Sequence, residues 1–109
     1  MIQNKRVDLG ASMRYDTREL PCLTLWKNTA ALEDGYVTGI EPGTNYPNNR
    51  RIERKHGRVP ELSPGESHYM TLDFAVLVGR TEVAQVAREI SQLQGERKPV
   101  LNQKPMPKE

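Results

Sequence analysis

The chain has one cysteine, Cys22, so no internal disulfide can form. Phenylalanine and tryptophan occur once each, and apolar residues make up only 36% of the 109 positions. Ordinary soluble domains reach roughly 45–50%, a range that also counts glycine. A domain of this length buries only about 60–70% of the surface its unfolded chain exposes. Its core is therefore expected to be thin, which fits a chain that expects a partner surface. No run approaches the roughly 18 apolar residues of a membrane span. The first twenty residues lack the apolar centre of a signal peptide, so a cytoplasmic location and no membrane partner are expected. Histidine occurs at His56 and His68 only, a spacing that with one cysteine offers no ligand pattern, so no metal is expected. A net charge of +2 is too small to argue for a polyanion partner, and no internal repeat is visible.

Against that background the β signals stand out. Leu20-Pro21-Cys22-Leu23-Thr24-Leu25-Trp26-Lys27 alternates, with Leu23 and Leu25 on one side and Cys22, Thr24 and Trp26 on the other. It reads as a strand with both faces partly covered and Cys22 as an inert core residue. Asp34-Gly35 is a turn signal. Tyr36 to Glu41 reads as the next strand, followed by a loop over Pro42 to Pro47. Asn48 to Arg58 is polar and basic, with Arg50 to Arg54 expected to form a short strand or an irregular arm. Pro64-Gly65 has the order of a type II turn. His68 to Val78 alternates most strictly: Met70, Leu72, Phe74, Val76 and Val78 on one face, Tyr69, Thr71, Asp73, Ala75 and Leu77 on the other. This predicts a long strand with one face in a core.

Gly79 ends that run. Thr81 is expected to cap a helix with Glu82 in its first turn. Val83, Val86, Ala87, Ile90 and Leu93 form one apolar stripe at spacings of three and four, and Gly95 ends the helix. The organisation expected is a polar segment over residues 1–19, a folded portion over 20–94 and a Pro/Lys-rich tail over 95–109, docked at most through Val100 and Leu101.

The candidate for chemistry is Glu41, a carboxylate at a strand end beside a polar loop. Flanked by Ile40 and Pro42, it is expected to lose part of its solvent and become a usable proton acceptor. The competing reading is a strand-end acid paired with one of the many arginines. Trp26 and Lys27 lie on the preceding strand. A tryptophan can stack on the apolar face of a sugar ring, and a lysine can donate to hydroxyls or pair with an anionic sugar. Neighbours on a strand point to opposite faces, so only one of the two can share the face of Glu41. If that one is Lys27, it becomes Glu41's charge partner. Asn45, Tyr46 and Asn49 suit hydroxyl contacts, although loop asparagines more often serve turns.

Gly39-Ile40-Glu41, then Asn45-Tyr46-Pro47-Asn48, then Leu62-x-Pro64-Gly65-Glu66 and the strand after it resemble, in order and spacing, the C-terminal end of the aldose 1-epimerase (galactose mutarotase-like) family. The likeness is closest to the branch known only as a domain of unknown function, and it covers roughly Leu23 to Val78. It implies a mainly β fold: antiparallel strands of a mutarotase-like β-sandwich, present as a partial domain over 20–94, with one C-terminal α-helix. It implies sugar anomer interconversion by acid/base catalysis on a free or acidic monosaccharide, without a cofactor. Glu41 would be the general base, and Lys27, Asn45, Tyr46 and Arg50 would contact substrate.

This chain departs from the family pattern by one extra residue before the Asn-Tyr-Pro turn, and by Gly43 where the family often has glutamine. The family's general acid is a histidine in the earlier two-thirds of the domain. His56 and His68 do not match it and read as surface residues, so the chain is expected to be a terminal portion, inactive by itself. Two alternatives stay open. One is a non-catalytic carbohydrate-binding or self-associating β module, whose exposed strand edges a second copy would cover. The other is weak nucleic-acid binding through Arg50, Arg51, Arg54, Lys55 and Arg58. No aromatic residue interleaves those charges to form a stacking platform, so nucleic acid is not the partner expected.

Overall fold

The computed structural model describes residues 1–103; Pro105 and Pro107 of the expected tail lie outside the described residues. In chain order the elements are β1 (Ile2–Gln3), β2 (Leu9–Tyr15), β3 (Cys22–Lys27), β4 (Thr38–Gly43), α1 (Arg50–Lys55), β5 (Leu72–Val78) and α2 (Arg80–Gln94). They form a three-stranded sheet of order β1-β2-β5 and a two-stranded sheet of β3 and β4. The chain divides into two compact units, one comprising Met1–Ser12 and the chain from Phe74 onward, the other Met13–Asp73.

In the first unit, β1 and β2 pair antiparallel with Ile2 opposite Ala11. Asn4 shapes the turn between them: its Oδ1 accepts from the backbone N–H groups of Asp8 and Leu9 at 3.1 and 3.2 Å. The core is small, as the composition requires. Leu77 of β5 packs with Val83 and Val86 of α2, and Ala75 rests against them. Val83 is fully buried. The rest of the predicted stripe is less covered: Ala87 is half-buried, while Ile90 and Leu93 are exposed.

The helix is built as expected but capped differently. It starts at Arg80 with Gly79, not Thr81, at the N-cap. The Gly79 carbonyl accepts from Val83 N at 3.2 Å, and the Glu82 carboxylate reaches back to Val78 N at 2.9 Å. The first is the opening bond of the helix itself, and the second ties the residue before the cap to the first turn, while no side chain caps the helix. Gly79 sits at φ 97°, ψ 150°, a region open to glycine almost alone. Gly79→Ala should therefore cost about 1–3 kcal/mol, read as a lower denaturation midpoint at unchanged m-value; an unchanged midpoint would show that the junction relaxes freely.

The long strand is shorter than its sequence pattern, running from Leu72 rather than His68. Upstream, Thr71 N donates to the carboxylate of Glu19 at 3.0 Å instead of entering a ladder, which sets the strand's start. The covered face is that of Ala75 and Leu77. Phe74, Val76 and Val78, on the longer apolar face, point away from α2 and are exposed.

In the second unit, β3 and β4 pair antiparallel over their whole length. Their connection contains a 3₁₀ turn at Leu32–Asp34 ended by Gly35 at positive φ, where the Asp34-Gly35 signal lay. Leu20 and Cys22 are buried, as expected for Cys22, whereas Leu23, Leu25 and Trp26 are exposed. The predicted turn at Pro64-Gly65 is present: Glu66 N donates to Ser63 O at 2.9 Å, with Gly65 at φ 83°. Arg50–Lys55 is a helix, not a strand or an irregular arm. Val100 and Leu101 are exposed and do not dock the tail. Among the described residues, no helix is long and apolar enough to cross a membrane.

Candidate functional site

The register of the β3–β4 hairpin decides which side chains share a face. Thr24 lies opposite Glu41, Trp26 opposite Gly39 and Lys27 opposite Thr38. Directly opposed residues of an antiparallel pair project to the same side. Glu41 therefore shares its face with Cys22, Thr24 and Trp26, whereas Lys27 lies on the other face with Leu25 and Ile40. The strand thus brings Trp26 to Glu41, and Lys27 is not its charge partner across the hairpin.

Gly39 leaves the room on this face that the Glu41 side chain occupies. A side chain at residue 39 would overlap the Glu41 Oε1 and stand 3.2 Å from its Cδ and 3.3 Å from Trp26 Cβ. The carboxylate folds back over the bare glycine, beside the tryptophan. Glu41 is exposed, so the desolvation expected from Ile40 and Pro42 is not provided within this chain.

Beyond β4 the loop over residues 44–49 carries Asn45 and Tyr46. The structure brings these together with Arg50. Arg50 Nη1 donates to Asn45 Oδ1 at 3.3 Å, Thr44 Oγ1 donates to the same oxygen at 3.3 Å, and Asn45 Nδ2 donates to the Tyr46 carbonyl at 2.8 Å. Asn49 caps α1, its Oδ1 accepting from Arg51 N at 3.0 Å. It therefore serves the backbone, as loop asparagines commonly do.

The residue that organises this loop is Glu53, which in sequence merely relieves a basic run. Its side chain has no solvent exposure. It accepts from Tyr46 N at 3.1 Å, from Asn48 Nδ2 at 2.8 Å, and from Arg58 Nε and Nη2 at 2.7 and 2.8 Å. The two-pronged guanidinium contact is the strong form of such a pair. These bonds favour the charged form over the cost of burying it. The carboxyl is lowered from 4.5 to about 2, with the Arg58 hydrogen bond the largest cause, and burial opposes the shift. Arg58 also lies over the Tyr46 ring, its Cζ 5.3 Å from the centroid, a cation–π distance. One buried acid thus fixes the turn, the orientation of Tyr46 and the end of α1. A sequence trace of it exists in Asn49 as an N-cap followed by Glu53 four residues on, but the burial has no local signature.

His56 ends α1 and is exposed, and His68 is exposed as well. A separate concavity of about 460 Å³ in the same unit is lined by Arg14, Tyr15, Asp16, Thr17, Glu19, Thr71 and Asp73. It includes none of the residues singled out from sequence. Asp16 in it is lowered to about 2, chiefly by the side-chain hydrogen bond from Arg18.

The fold of the chain is similar to a known structure. A crystal structure of a "putative aldose 1-epimerase" from Klebsiella pneumoniae subsp. pneumoniae MGH 78578 aligns with a TM-score of 0.89 at 49% sequence identity, covering 97% of this chain. The fold is accordingly that of part of a galactose mutarotase-like β protein, and the chain spans 28% of the length of that relative. A family described as "Domain of unknown function (DUF4432)" matches residues 1–76, and the chain belongs to that family. No curated protein matches it.

Proposed function

We propose that this chain supplies the general base and one wall of a sugar site for anomer interconversion of the aldose 1-epimerase type, on a monosaccharide or acidic sugar and without a cofactor. The observation that carries the reading is the placement of Glu41 beside Trp26 on one hairpin face. It occurs in a chain 49% identical to a protein named for that activity.

The chemistry divides into two proton transfers. Glu41 takes the proton from the anomeric hydroxyl as the C1–ring oxygen bond breaks, and an acid delivers a proton to the ring oxygen. Rotation about C1–C2 and reversal of both transfers gives the other anomer. Trp26 offers an apolar face to the ring, and Asn45, Tyr46 and Arg50 offer donors and acceptors along the adjoining loop. The acid comes from outside this chain, so the chain alone holds half of the machinery.

The test is anomer exchange measured by NMR with glucose, galactose and a uronic acid. The purified chain should give buffer rates. A chimera of the Klebsiella relative, carrying this chain in place of its matching segment, should exchange rapidly and lose about a hundredfold or more on Glu41→Gln. A folded chimera without exchange, or one indifferent to Glu41→Gln, overturns the reading.

A further inference from the structure

α1 holds more positive charge than its surroundings neutralise. Arg50, Arg51 and Arg54 are exposed, and among the described residues no carboxylate stands within ion-pair reach of any of the three. The helix's own acid, Glu53, faces inward and is engaged by Arg58, Asn48 and the Tyr46 backbone. Of the three arginines, only Arg50 is tied to the loop after β4 among the described residues. Its Nη1 donates to Asn45 Oδ1 at 3.3 Å, and most of its guanidinium N–H groups stay open. Asn45 is the bracket: its Oδ1 also accepts from Thr44 Oγ1, and its Nδ2 donates to the Tyr46 carbonyl. The amide thus orients the guanidinium.

That loop adjoins the face of Glu41. Cys22 lies on this face opposite Gly43, and its Sγ points to the Thr44 carbonyl at 4.0 Å. Alternate residues of a strand are about 6.5–7 Å apart. The Glu41–Thr24 rung therefore lies one such step from the Cys22–Gly43 rung that leads into the loop, and one step from the Trp26–Gly39 rung on its other side.

We propose that the site takes an anionic sugar, one bearing a carboxylate or a phosphate group, and that Arg50 is the residue that selects it. The proposal rests on the sugar-site reading above and narrows it. A ring seated on Trp26 and Glu41 extends its charged substituent toward the loop. There a guanidinium offers paired N–H donors that match two oxygens of either group. Arg51 and Arg54 add a positive field that draws an anion and does nothing for a neutral hydroxymethyl group.

The test titrates the purified chain, and the chimera with the Klebsiella relative, with galactose, galacturonate and galactose 6-phosphate, which differ only at C6. NMR follows the Arg50 Nε–H and the Asn45 side-chain amide. At least one anionic sugar should bind about tenfold or more tighter than galactose, with a preference that shrinks as salt is raised. Whichever of the two binds tighter tells a carboxylate ligand from a phosphate one. Arg50→Gln, which keeps a donor for Asn45, should abolish the preference. Arg50→Lys should retain only part of it, because the charge stays and the fork is lost. Arg54→Gln should keep it. Absence of a preference in both proteins overturns the proposal. So does its loss in Arg54→Gln to the same degree as in Arg50→Gln, or inorganic phosphate binding as tightly as the preferred sugar. The exchange assay above reports separately on the chemistry: an Arg50-dependent preference without exchange upholds the ligand class and removes only the role of Glu41 as base.

Discussion

Arg58→Leu will loosen the segment from Tyr46 to Arg58 while leaving the β3–β4 hairpin paired. Glu53 has no solvent exposure and takes two of its four hydrogen bonds from the Arg58 guanidinium. Removing the cation strands a buried carboxylate, which is far costlier than never having buried the pair. The six-residue α1 is too short to hold itself together. It should open with its anchor, and amide exchange across Tyr46–Arg58 should accelerate about a hundredfold or more. Arg54→Leu, at an exposed position of the same helix, should change exchange little. Equal effects of the two substitutions would show that Glu53 is not the anchor.

The same pair predicts an acid limit. The Glu53 carboxyl is lowered from 4.5 to about 2, first by the Arg58 hydrogen bond. A depressed carboxyl stabilises the fold fully above its unfolded value and progressively less as pH falls toward its folded value. The Tyr46–Arg58 segment should thus hold above about pH 4.5 and loosen between there and pH 2. Asp16 is lowered in the same window by Arg18 but is solvent-accessible, so Asp16→Asn should leave the acid limb of this segment in place.

Val83→Asp should release α2. Val83 is fully buried against Leu77 and Val86, and that cluster is most of the apolar core of its unit. An ionised carboxylate there has no cation to meet, so a loss of about 4 kcal/mol or more is expected. It would be seen as a drop in helical circular dichroism at neutral pH that recovers partly as the carboxylate is protonated. Leu93→Lys, ten residues along the predicted stripe, should stay within about 0.5 kcal/mol because Leu93 is exposed and a cation suits the last turn of a helix. A large effect at both positions would mean that the whole stripe is covered in solution.

What could be read from the sequence follows from how local its cause is. The Asp34-Gly35 and Pro64-Gly65 turns, the stop at Gly95 and the span of α2 come from short-range backbone preferences, and the sequence carries them openly. The alternation of β5 is equally local, but which face the protein covers is not: that depends on α2 docking on Leu77 rather than Phe74. The partnership of Trp26 with Glu41 depends on hairpin register. The long connection between β3 and β4 leaves register open, where a two-residue turn would have fixed it. α1 was illegible because it has almost no apolar face. Asn49 starts it, and a buried acid holds it from a distance in sequence that periodicity does not see. The sequence places Glu41 at a strand end, but β4 runs on through Pro42 to Gly43, so the acid lies within the hairpin, and its exposure has no local signal either.

The division of the chain has a consequence for the order in which it is made. The unit Met13–Asp73 is continuous in sequence, whereas the other joins Met1–Ser12 to everything from Phe74 onward. Its ties include the pairing of β2 with β5 and a backbone bond from Gly79 N to Asp8 O at 2.8 Å, all of long sequence separation. In synthesis from the N-terminal side, the hairpin and the Glu53 knot can close early, but residues 1–12 must wait, unpaired with β5, until that strand has followed. Slow closure of such distant partners is the step at which exposed strands find wrong neighbours. The apolar row from Phe74 to Val78 emerges at that same moment and keeps one face exposed, so the yield of this chain should depend less on its final stability than on how few wrong neighbours that row meets.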